Sequence, residues 1–154
     1  MKKIFLALTI LVSFSFAGEI KLLENNATDP VYILPLKKYP KWLCEARLQS
    51  GKTVQFVSVK SMMTVYQHQK YFKKHNFIDS NITNLYVQDY LTGKKVDAKK
   101  AKYVFGSRLV GPHGDDLIPL SSDENAKIFM LKNGGTKVLP FEKLSKGLIR
   151  YLDM

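Results

Sequence analysis

The amino terminus, read together with a cysteine count of one, constrains this chain most. Met1-Lys2-Lys3 is basic, Ile4 to Val12 is apolar except for Thr9, and Ser15-Phe16-Ala17 supplies small residues where a signal peptidase reads. A membrane-spanning helix needs about 20 apolar residues. This run is broken earlier, by Ser13 and Ser15, and ends at Gly18. The pattern predicts a cleaved signal peptide over residues 1–17 and an exported chain that starts at Gly18. A lipoprotein would carry cysteine at that first mature position, so no lipid anchor is expected. In an oxidising compartment the single cysteine, Cys44, closes no internal disulfide, and stability has to come from packing. With 45% apolar residues, a packed core is feasible.

Loss of residues 1–17 removes Lys2 and Lys3 and no acidic residue, so the formal charge falls from +11 to +9. The lysines are dispersed (Lys37, Lys38, Lys41, Lys73, Lys74, Lys94, Lys95, Lys99, Lys100, Lys102) and read as a solvated face. Such a field favours an acidic protein or the anionic headgroups of a membrane surface, and it opposes capture of a free cation. Export argues against nucleic acid as a partner.

Cys44 to Leu48 and Thr53 to Val57 read as two strands joined by the turn Gln49-Ser50-Gly51-Lys52. Ser58 then caps a helix whose apolar residues Val59, Met62, Met63 and Tyr66 fall at i, i+3, i+4 and i+7, with an expected end near Lys74. Asn76 to Thr83 reads as a loop and Leu85-Tyr86-Val87 as a strand. The second half repeats this order: a strand near Lys102 to Phe105, a loop through Gly106, Gly111 and Gly114, and a strand at Leu117 to Leu120. A helix follows, with capping-box spacing at Ser121 and Glu124, a stripe of Ala126, Phe129 and Met130, and a terminus at Gly134. Thr136 to Phe141 closes the half as a strand. The expected fold is α+β in two small lobes, residues 18–90 and 91–154, each a mostly antiparallel sheet with one covering helix.

Spacing excludes the common enzyme sites. There is no Gly-rich phosphate loop, no Gly-x-Ser-x-Gly elbow, no His-Glu-x-x-His and no Cys-x-x-Cys. His68 and His75 would stand about 10 Å apart along a helix, too far for one metal ion, and read as surface residues. Asp115-Asp116 reads as a solvated turn, because neighbours on an extended chain point to opposite sides. Met62, Met63 and Met130 are thioethers able to hold Cu(I), yet they lie on helix stripes where methionine fills a core. Cys44, at the start of a strand, reads as a buried thiol.

From Tyr86 to Leu144 a set of fragments occurs in one order: Val87-x-Asp89-Tyr90, Val96-Asp97-Ala98-x-x-Ala101-x-Tyr103-Val104-x-Gly106-Ser107, Gly111-Pro112-x-Gly114-x-x-Leu117-Ile118-Pro119 and Gly134-Gly135. Upstream stand Lys38-Tyr39-Pro40-Lys41-Trp42, the Gly51-Lys52 turn and Lys60-x-Met62. The ordered set resembles the NosL family over nearly the whole exported chain. That resemblance implies a two-lobed α+β fold in the bacterial periplasm and a part in maturing the copper sites of nitrous oxide reductase, alongside a membrane transporter complex. It implies no catalysis.

The chain departs from the family pattern at the copper-binding elements. Where members carry Cys-Gly-Met ahead of the Tyr-Pro-Lys-Trp segment, this chain has Tyr32-Ile33-Leu34, and the family's Gly-Pro-Met-Gly loop reads Gly111-Pro112-His113-Gly114. Beside a more distant reading, a periplasmic domain unrelated to denitrification, two functions stay compatible with that sequence. One is a Cu(I) carrier with a remodelled site using His113 and Met62, with Cys44 as a further donor. The other is a metal-free binding or scaffold protein that keeps the family's partner surface.

Overall fold

Apolar-polar alternation builds the first sheet of the computed structural model, which describes residues 18–154; the expected signal peptide over residues 1–17 lies outside the described residues. Strands β1 (Cys44–Leu48) and β2 (Thr53–Phe56) form the expected antiparallel hairpin. Strand β3 (Ile82–Gln88) pairs with the other edge of β1, and β4 (Lys95–Asp97) pairs with β3, giving the order β2-β1-β3-β4. Sequence reading missed β4, since Lys95-Val96-Asp97 holds a single apolar residue and shows no alternation. Pairing of Val96 with Val87 defines it. The first sheet therefore runs past residue 90, where the lobe boundary was expected.

Helix α1 (Val59–Gln67) is capped by the Ser58 side chain, which accepts from the Ser61 N–H, and it buries Val59, Met62 and Met63. The single helix expected to reach Lys74 is two. It breaks at His68 (φ −126°, ψ 35°), and α2 (Gln69–Lys74) follows. On an unbroken helix, Lys70 and Lys73 would continue the apolar stripe after Tyr66. The break turns Phe72 inward instead.

The second sheet has the order β6-β5-β7, formed by β5 (Lys102–Phe105), β6 (Ile118–Leu120) and β7 (Lys137–Pro140), all antiparallel. Helix α3 (Asp123–Asn133) covers it with Ala126 and Phe129. Its cap is Ser122, whose side chain accepts from Asn125 N–H, and not Ser121 as the capping-box spacing indicated. Ser121 Oγ accepts from the Asn125 side-chain amide. Gly134 ends the helix at φ 71°, a conformation that favours glycine. A fourth helix, α4 (Lys146–Tyr151), capped by Ser145, adds Ile149 to the core.

The lobes share one main core. Cys44, Phe56, Met62 and Met63 from the first pack in the same cluster as Tyr103, Leu117 and Ile149 from the second. A smaller cluster of Val104, Ile118, Leu120, Ala126 and Phe129 lies under α3. Asp89 ties the lobes further. Its Oδ1 accepts from the N–H groups of Leu91 and Thr92, while Oδ2 accepts from Ser121 N–H (2.7 Å) and the Asn125 amide (2.9 Å).

Candidate functional site at the lobe junction

The loop between β5 and β6 is closed by a bond from Gly111 N–H to Gly114 O (2.8 Å). A Cβ at Gly111 would stand 2.8 Å from the Cβ of Asp116, so this approach requires glycine. Asp115 is exposed, as expected, but Asp116 is buried and corrects the reading of both as a solvated turn. Its Oδ1 accepts from Lys60 N–H (3.0 Å) and Leu117 N–H (2.9 Å), pinning the loop to the first turn of α1. Burial pushes the Asp116 carboxyl up to about 6, against the opposing pull of Ser58, the Leu117 and Lys60 amides and the Lys60 charge. Its Oδ2 has no partner of hydrogen-bonding geometry, although the Ser58 hydroxyl is close enough to favour the ionised form.

Lys60 is fully buried. Its Nζ donates to His113 O (2.6 Å) and Leu152 O (3.0 Å) and pairs with Asp153 Oδ1 (3.0 Å). An ammonium taken out of water costs several kcal/mol unless acceptors surround it, and here three do. The same ammonium lies 5.3 Å from the centre of the Tyr32 ring. Lys60 thus joins α1, the histidine loop and the C-terminal residues at one point.

Tyr32 is positioned by Asp29, another buried carboxylate. Asp29 Oδ2 accepts from Val31 and Tyr32 N–H (2.9 and 2.8 Å), and Oδ1 accepts from Val57 N–H (2.9 Å) and the Ser61 hydroxyl. The next residue, Ile33, sits at φ 58°, where a β-branched side chain is strained. The resemblance puts the glycine of the family's Cys-Gly-Met element at this position, where this chain has isoleucine in a conformation that favours glycine.

The rings of Tyr32 and His113 stack, with centroids 4.0 Å apart and an interplanar angle of 14°. The Tyr32 hydroxyl donates to Asp153 Oδ1 (2.7 Å). Burial, then the bond to Asp153 and its charge, pushes that hydroxyl well above the ordinary tyrosine range, so it stays protonated and offers no phenolate to a metal. The His113 side chain is 52% exposed and its Nδ1 lies 3.9 Å from Asp153 Oδ1.

Of the two candidate copper ligands, His113 is presented to solvent and Met62 is not. Met62 has no exposed surface and packs in the main core. Two positions from Lys60, it points to a different side of α1. Cys44 is also fully buried; burial raises its thiol well above the ordinary range, and its Sγ donates to Trp42 O at 3.5 Å. His68 and His75 are exposed, as expected. Among the described residues, no three His, Cys, Asp or Glu side chains converge on one metal-sized position. Sequence reading missed Asp29, Asp153 and the burial of Lys60 and Asp116. Only Lys60 had left a trace, as part of the Lys60-x-Met62 fragment.

Fold and site together define a two-lobed α+β protein whose junction brings together one loop of each lobe and the C-terminal residues. The NosL family profile matches residues 21–149, and the chain belongs to the NosL family. Among solved structures, the chain is similar to the crystal structure of the copper chaperone NosL from Shewanella denitrificans, with a TM-score of 0.66 and 16% identity, covering 84% of this chain and 98% of that one. It also matches the solution structure of the apo-NosL protein from Achromobacter cycloclastes at a TM-score of 0.48 and 21% identity, over 69% of this chain and 87% of that one. No curated protein matches it.

Proposed function

We propose that this chain is an exported accessory protein of the periplasm that assists copper delivery to nitrous oxide reductase, with His113 as the residue that touches Cu(I). The observation that carries this reading is the contact between residues 32 and 113. These are the positions where the resemblance places the family's cysteine element and its loop methionine, and they meet face to face with the imidazole open to solvent. A Cu(I) carrier needs soft donors of low coordination number near its surface, so that the ion passes on by ligand exchange. One imidazole supplies a weak and transient hold, completed by donors on the protein that gives or receives the ion. Met62, sealed in the core, joins only on a local opening of α1. The role involves partners in the reductase maturation machinery, including its membrane transporter complex, and no catalysis.

A specific observation favours a second reading, a metal-free binding or scaffold protein. The buried Lys60 ammonium stands next to the Tyr32–His113 pair and already takes up the Asp153 carboxylate, which leaves that charge less able to favour a cation there. Cells lacking the protein separate the two. Copper content of purified nitrous oxide reductase should fall in the deletion strain, and His113→Ala should fail to restore it. Full restoration by the alanine variant supports the scaffold reading, and unchanged copper in the deletion strain defeats both.

A further inference from the structure

A groove of about 510 Å³ runs between the α1–α2 break and the start of α4, lined by Tyr66, Gln67, His68, Gln69, Lys70, Tyr71 and Lys146. None of these lining residues is acidic, and neither Lys70 nor Lys146 is held in an ion pair within the described residues. Both lysines are exposed, and Tyr71 is 57% exposed at the groove's edge. The segment from Tyr66 to His75 carries Lys70, Lys73, Lys74 and two histidines with no carboxylate. The break at His68 creates this surface, because an unbroken helix would have turned Lys70 toward the core side.

Lysines with an exposed tyrosine match a membrane surface: ammonium groups meet anionic headgroups, and an amphipathic ring sits at their level. Among the described residues no helix is long and apolar enough to cross a membrane. We infer that the groove at the α1–α2 break docks the chain on a membrane rich in anionic phospholipid, with Lys70 and Lys146 taking the headgroup phosphates and Tyr71 entering the interface. An acidic protein segment would meet the same lysines, and it is distinguished by the vesicle test, which it would leave without binding.

Co-sedimentation with vesicles tests this. The protein should bind vesicles of equal phosphatidylglycerol and phosphatidylcholine, and bind pure phosphatidylcholine at least about tenfold more weakly. The double variant Lys70→Glu/Lys146→Glu should lower partitioning about tenfold, and Tyr71→Ser should lower it severalfold even at high salt. Lys37→Glu/Lys38→Glu makes the same charge change at exposed positions outside the groove and should stay within about twofold of the parent. Equal losses in both double variants would show diffuse charge attraction and overturn the assignment. So would absence of vesicle binding, or an undiminished affinity of Tyr71→Ser. Circular dichroism should confirm that all variants remain folded, as expected for exposed side chains.

Discussion

Tyr32 and His113 stack face to face at 4.0 Å, and a single carboxylate, Asp153, takes the tyrosine hydroxyl while standing 3.9 Å from the histidine Nδ1. Two loops from separate parts of the chain are held together here by groups that are themselves bonded to the buried Lys60. The result is a polar, aromatic cluster whose packing and charge can be tested separately.

Removing the ammonium tests the frame. Lys60→Met keeps most of the side-chain volume but leaves His113 O, Leu152 O and Asp153 without their shared donor. Destabilisation of about 3 kcal/mol is expected, measured by urea unfolding. A cost under about 0.5 kcal/mol would show that these acceptors find other partners at no penalty.

Ile33 offers the opposite effect. Its φ of 58° costs an ordinary residue about 1–2 kcal/mol, and the residue is 65% exposed, so little packing is lost on truncation. Ile33→Gly should stabilise the fold by roughly 0.5–1 kcal/mol after the extra freedom of glycine in the unfolded chain is counted. A lower midpoint in urea would contradict the strained conformation.

Asp116 gives a pH signature. Its carboxyl titrates at about 6 in the folded protein, above the 3.8 of an unperturbed aspartate, so the folded state binds the proton more tightly. The group therefore weakens the fold as pH rises from about 3.8 to about 6, and the full penalty persists above that window. Asp116→Asn retains an oxygen for the Lys60 and Leu117 amides. Relative to the parent, it should gain roughly 1–3 kcal/mol between pH 4 and pH 7. A stability difference that is flat with pH would remove Asp116 as the cause.

Much of the fold was legible because it follows local pattern. The β1–β2 hairpin has alternation and a glycine turn, and α1 has a cap and a clear stripe. The misses have physical reasons. Ser121 mimics a cap because Glu124 follows at the right spacing, yet the neighbouring Ser122 takes the Asn125 N–H. No glycine or proline marks the break at His68; burial of Phe72 sets it. At the junction the resemblance singled out His113 and no other residue of the cluster except Lys60 and Tyr32. Asp29, Lys60, Asp116 and Asp153 are ordinary charged residues in sequence, and their roles arise from contacts between segments far apart along the chain.

The family's missing thiolate can be returned. Tyr32→Cys places a sulfur beside His113 and removes the ring that fills the position. Cu(I) affinity should rise about tenfold or more, because thiolate is the softest donor available to a protein. Competition against a Cu(I) chelator reads this, and no gain would contradict a Cu(I) site at the contact of residues 32 and 113.

The central claim is that His113 is where Cu(I) is handled, and the most direct measurement is anaerobic chelator competition on the parent and on His113→Ala. One Cu(I) per parent chain is expected, and a loss of at least about tenfold in affinity, roughly 1.4 kcal/mol, in the alanine variant. Affinity in the parent should also weaken as pH falls through about 6.5, where an unperturbed imidazole protonates, while metal-free melting temperatures of the two proteins nearly coincide. Equal Cu(I) retention by both proteins, or none by the parent, would contradict it.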